Sequence, residues 1–145
     1  MRDLVNEELE LARPAAFAES FIETRAPVDA QSIFDTVAKH LATQGRKSLH
    51  PQNGCVYRSP NGDMCAVGVL LDDEDYRPSF EGCIAKNLPL PPHLAAHRAL
   101  LGILQFAHDD SPNGAKLMVA LQRAALRHDL SPAILDTLTF PDVWA

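Results

Sequence analysis

The chain has 145 residues, 46% of them hydrophobic and 22% charged, and a formal net charge of −6. That length suits one domain with its own core. The acidic balance disfavours non-specific nucleic-acid binding, which needs a basic surface to release counterions from phosphates. No apolar run approaches the roughly 18–20 residues of a membrane span, and the start, MRDLVNEELELARP, puts acids where a signal peptide needs its apolar centre. A cytoplasmic protein is expected. The three cysteines (Cys55, Cys65, Cys83) are an odd number in such a chain, so buried thiols are expected in place of a disulfide framework.

Residues 1–28 read as a helical N-terminal arm, with six acids against three arginines. Residues 3–13 and 15–24 carry apolar positions at helical spacing, among them Phe17, Phe21 and Ile22. Pro14 and Pro27 punctuate them. The domain proper is expected at 29–145. Asp29 is a good N-cap. Ile33, Phe34, Val37, Ala38 and Leu41 recur at three and four, and Gly45 stands where a left-handed C-cap belongs.

Cys55-Val-Tyr-Arg and Met64-Cys-Ala-Val flank Ser-Pro-Asn-Gly-Asp, whose Pro, Asn and Gly stand in turn order. This predicts a two-stranded hairpin at about 55–67, held against helices because a lone hairpin is marginal. Gly68 marks a close approach, and a short helix begins near Val69. A long helix is expected from Pro92 to His108, another over 114–128, and a last one at Ser131-Pro132. Phe140 and Trp144 pack the tail onto the body. The fold class is therefore mainly α: a small single-domain bundle of five or six helices with one β-hairpin.

Ile33–Gly45, Tyr57–Gly68 with its Cys-Ala-Val-Gly ending, Asp73…Tyr76…Glu81-Gly82 and Leu104-Gln-Phe-Ala-His-Asp109 together carry a resemblance. The chain resembles a group of small uncharacterised proteins from proteobacteria and their phages, over roughly Ser32 to Leu130. After Gly68 it has Val-Leu-Leu-Asp where the group has Cys-Leu-Ile-Pro-Asp, so it lacks that thiol. The resemblance implies a domain of phage or mobile-element character and supplies no mechanism.

Several constellations can carry chemistry. Cys65, His108 and Asp109 have the residue types of a nucleophile, base and orienter. Against this, Cys65 suits a buried strand position and His108 suits a helix C-terminus. Cys55, Cys65 and Cys83 with His50 lack the close ligand pair of a zinc site. His93 and His97 are four apart, but His108 lies about 22 Å further along a helix. A metal-dependent phosphohydrolase would need His40 or His50 with the His108-Asp109 doublet and Asp129 or Asp136, and nothing supports that set. No metal and no cofactor are expected.

Asp72, Asp73, Glu74, Asp75 and Glu81 form the densest charge cluster. They lack the calcium-loop pattern. Tyr76 among them is an amphipathic anchor of the kind interfaces favour. The expectation is a small cytosolic regulatory or partner-binding protein. Its contact for a basic protein surface would be Asp72–Glu81 with Gln105 and the end of the long helix. The alternative is a small hydrolase or transferase using Cys65 with His108-Asp109.

Overall fold

The computed structural model describes residues 29–145. The arm expected over 1–28 lies outside the described residues. Helix α1 spans Ala30–Gln44. Asp29 Oδ1 accepts from the Ser32 N–H at 2.7 Å, satisfying one of the donors a helix start leaves open. Gly45 ends the helix at φ +74°, and its N–H donates to Leu41 O. The five apolar positions read from the spacing are all buried.

The long helix expected from Pro92 is divided. Helix α2 is one turn, Pro92–Ala95, and α3 runs Arg98–Asp110. His97 stands between them at φ −114° and ψ 25°, outside helical geometry. Helix α4 spans Gly114–Arg127, with Asn113 accepting from the Lys116 N–H at 2.8 Å. The helices expected near Val69 and after Ser131 are shorter, as 3-10 turns at Gly68–Leu70 and Ala133–Thr137. Four α-helices are thus present among the described residues, where the spacing predicted five or six. The fold is mainly helical with one two-stranded antiparallel hairpin. No described helix is long and apolar enough to cross a membrane.

The hairpin is displaced from the expected place. Strand β1 (Leu49–His50) pairs with β2 (Gly54–Cys55). Over the predicted 55–67 stretch only an isolated bridge, Arg58 opposite Met64, remains. Side chains explain the lost ladder. Cys65 N–H does donate to Tyr57 O at 3.2 Å. The reciprocal bond is missing because Tyr57 N–H goes to Glu81 Oε1 at 2.9 Å, while Cys65 O accepts from Val69 N–H. Two residues on, Val67 N–H goes to Gln105 Oε1 at 3.1 Å. Along the outer edge, Met64 N–H is taken by Gln44 Oε1, and Met64 O by His40 and Gln44. These bonds satisfy the strand's backbone as sheet pairing would, so the sheet has no need to extend.

One continuous core joins α1, α3, α4 and the 65–71 segment. A Cβ on Gly68 would lie 1.9 Å from Tyr57 O, so the expected close approach is real and only glycine permits it. Trp144 is buried, and its indole N–H donates to His108 O at 2.9 Å. The C-terminal tail is therefore part of the core wall. It is also tied by the Lys47 N–H to Ala145 O and by a bridge between Asn113 and Val143.

Candidate functional site

The C-terminal half of α3, the Glu81–Lys86 segment and Cys55 of β2 enclose a pocket of about 400 Å³. Tyr57 fixes the wall opposite α3. Its N–H holds Glu81, and its hydroxyl donates to Cys83 O. Burial of that hydroxyl pushes its pKa up, so it stays a donor. Gln105 fixes the other wall from α3. Its Oε1 accepts from Val67 N–H and its Nε2 donates to Asp109 Oδ1 at 2.9 Å. The lip is apolar. Ile84 is 58% exposed and Phe106 is 66% exposed, one on each wall.

His108, next to the pocket-lining Asp109, is fully buried. The Ser48 N–H donates to its Nε2 at 2.9 Å. A backbone N–H is always a donor, so Nε2 must carry the lone pair and the ring hydrogen sits on Nδ1. Nδ1 faces Asp109 Oδ1 at 2.7 Å, and Trp144 packs edge-on at 5.8 Å. Both ring nitrogens are thus occupied inside the fold. The imidazole joins α3, the loop before β1 and the tail.

Of the sequence-predicted catalytic residues, His108 and Asp109 are in contact, and Cys65 is completely buried. The Cys65 Sγ accepts from Gly68 N–H at 3.3 Å, and burial pushes the thiol up to about 12. The thiol that comes to the doublet is Cys55. Ligand atoms of Cys55, His108 and Asp109 all lie within 4.8 Å of one another. Burial, and then the Asp109 carboxylate, raise the Cys55 thiol to about 11. At neutral pH it keeps its proton, so it is a poor nucleophile.

A metal does not fit this trio as it stands. Coordination needs a neutral imidazole lone pair aimed at the ion. The lone pair here is on Nε2 and is consumed by Ser48, while Nδ1 presents a hydrogen. Metal ligation through Nδ1 would set the Nε2 hydrogen against the Ser48 N–H. Of the other histidines weighed for metals, His40 contacts Met64 O and His50 Nδ1 accepts from Gln52 N–H. His93 lies in α2, and His97 follows it between α2 and α3.

The acidic segment divides in two. Glu81 is half-buried and accepts three bonds, from Tyr57 N–H, Arg58 N–H and the Tyr76 hydroxyl at 2.7 Å. Tyr76 packs on Phe80 and beneath the Arg58 guanidinium, and burial raises its hydroxyl to about 12. Asp72, Asp73 and Glu74 are exposed, and Asp75 is half-buried. Arg58 reaches across to Asp73 Oδ1 at 2.7 Å and to Leu71 O at 2.6 Å, holding the segment in place.

The lip residues Ile84 and Phe106 escape a reading based on titratable groups. Phe106 had one signal: it falls about 200° from Leu104 on a helical wheel, off the buried stripe.

The fold and pocket define a small helical domain with an apolar-lipped pocket beside a polar knot. Compared with protein families, curated proteins and solved structures, the chain gives no match.

Proposed function

We propose that this protein is a non-catalytic, partner-binding regulatory domain. Its pocket would receive an apolar anchor from a protein partner, set between Ile84 and Phe106. Asp109, which lines the pocket, would meet a basic group beside that anchor, and the exposed acids Asp72–Glu74 would meet basic groups of the same partner. The observation that carries this reading is the lip: two large apolar side chains, more than half exposed, on opposite walls of one pocket. Exposed aromatic and aliphatic groups at a concave site are what hot spots use. Glu81, Tyr76 and Gln105 then act by holding the walls.

The hydrolase or transferase alternative is less well supported. It needs a thiolate and a free imidazole. The thiols of Cys55 and Cys65 are held protonated, and the imidazole of His108 is bonded on both sides.

Ile84→Asp and Phe106→Asp test the proposal in affinity capture from cells expressing the tagged full chain. Capture of one defined protein should fall at least tenfold with each, at unchanged melting temperature. Capture unaffected by Ile84→Asp would defeat the pocket reading. Hydrolytic turnover abolished by Cys55→Ser would favour the enzyme instead.

A further inference from the structure

A second concavity, of about 460 Å³, lies between α3 and α4, within the roughly 300–1,000 Å³ that small-molecule sites span. Its apolar floor is Ile103 and Ala107 of α3 with Ala120 of α4. Lys86, Arg98, Arg123 and Arg127 rim it, and no acidic residue lines it among the described residues. Nor does an ion pair engage any of these four cations among the described residues. The two helices pack on each other and are joined by residues 111–113 alone, and a connection that short makes them antiparallel. Arg98 opens α3 and Arg127 closes α4, so both stand at the same end of the groove. Arg123 is one turn back from Arg127. Arg98 also draws in Lys86, whose carbonyl accepts from the Arg98 Nη1 at 3.0 Å. Ala107 lies nine residues further along α3, about 13 Å away. The groove is therefore graded along its length, with cations gathered at one end and apolar surface at the other.

We infer that this groove binds a single-chain anionic amphiphile, a free medium-chain carboxylate. Complementarity of charge and polarity carries the inference. A carboxylate suits guanidinium forks, which hold its two oxygens with paired N–H donors. Arg123 and Arg127 offer theirs from one face of α4, and both are exposed. Arg98 spends one nitrogen on the Ala85 and Lys86 carbonyls, so it also braces the cationic end. The alkyl chain runs from there along α3 and covers Ile103, Ala107 and Ala120. Gly102 also lines the groove, and a Cβ added to it would meet nothing within 4 Å, so the path is open. Neither half of the groove selects this ligand alone. A small anion would leave the apolar floor wet, and a neutral chain would leave the cations unpaired. In a chain of net charge −6 the overall field repels anions, so the attraction must come from these four cations at close range.

The test titrates decanoate, below its micellar concentration, into the full chain by calorimetry. One molecule should bind per chain, with a Kd below about 100 µM. Decan-1-ol, which has the tail without the charge, and acetate, which has the charge without the tail, should each bind at least tenfold more weakly. Arg123→Glu with Arg127→Glu should weaken decanoate at least tenfold. Circular dichroism checks that the variant is folded. Should the reversal unfold the protein, raising salt from 50 to 500 mM in the wild type replaces it, with a loss in the same direction expected. Decanoate should also shift the amide resonances around Ile103 and Ala120. No binding of decanoate, equal binding of decan-1-ol, indifference to both charge and salt, or resonance shifts confined to other parts of the chain would overturn the inference. So would co-sedimentation with phosphatidylglycerol vesicles in the absence of decanoate binding, which would assign the groove to a lipid surface. Ile84→Asp should leave decanoate affinity unchanged, so the outcome is separate from that of the pocket.

Discussion

The backbone N–H of Ser48 and Nε2 of His108 meet at 2.9 Å across sixty residues of sequence. Both are fully buried. That bond turns a histidine with a catalytic look into a tie between the helical body and the segment that leads into the hairpin. His108→Ala should cost about 3 kcal/mol, because it strands a buried N–H and opens a cavity. Urea denaturation measures it. A variant as stable as the wild type would return His108 to the functional column.

Gly68 and Gly102 should respond oppositely to the same change. A methyl on Gly68 would collide with Tyr57 O, whereas one on Gly102 meets nothing within 4 Å. Gly68→Ala should cost about 3 kcal/mol or more. Gly102→Ala, inside α3, should stabilise by about 0.5–1 kcal/mol. Thermal melts of the two proteins side by side decide this.

The two halves of the acidic segment should also separate. Glu81→Ala removes the acceptor for three donors and should cost about 2 kcal/mol. Asp73 holds one surface ion pair, its side chain fully exposed, so Asp73→Ala should cost no more than about 0.5 kcal/mol. Equal losses in denaturation midpoints would mean that the whole segment is scaffold.

Thiol chemistry gives a further check. Cys55 and Cys83 are exposed and Cys65 is buried, and none is in a disulfide. Cys83 should react readily with an aromatic disulfide reagent in the native protein, Cys55 more slowly because its thiol is raised to about 11, and Cys65 only in denaturant. Reaction of all three at native rates would contradict the packing of the 65–71 segment.

Cys65 also predicts an alkaline weakness. Its folded pKa is raised from 9.0 to about 12, so the folded state holds this proton more firmly than the unfolded state. The associated stability is complete below about pH 9 and declines as pH rises towards 12. Wild type should lose on the order of 1 kcal/mol more than Cys65→Ala between pH 7 and pH 10. Identical losses for the two proteins would show that the thiol is not the group responsible.

Much of the scaffold was legible in sequence. Asp29, the three-and-four spacing from Ile33 to Leu41, and Gly45 define α1 by local chemistry alone, and the helix expected over 114–128 matches α4. Gly68 announced a close contact without naming its partner. The last helix is shorter than its start signal implies. Ser131-Pro132 is a proper start, but Ala133–Thr137 tightens into a 3-10 turn that seats Leu135 in the core.

What the sequence determined by itself was set within a turn or two of helix: caps, apolar stripes, turn residues and the acidic run. Only the tertiary structure decided which cysteine meets His108-Asp109, and that Glu81 and Gln105 are braces. It also settled that the ladder expected at 55–67 stops at one bridge. The reason is physical. Tyr57 and Val67 N–H groups can be satisfied by strand carbonyls or by side chains from residues 24 and 38 positions away. Local propensity cannot choose between them, because the choice depends on where Glu81 and Gln105 arrive when the core closes.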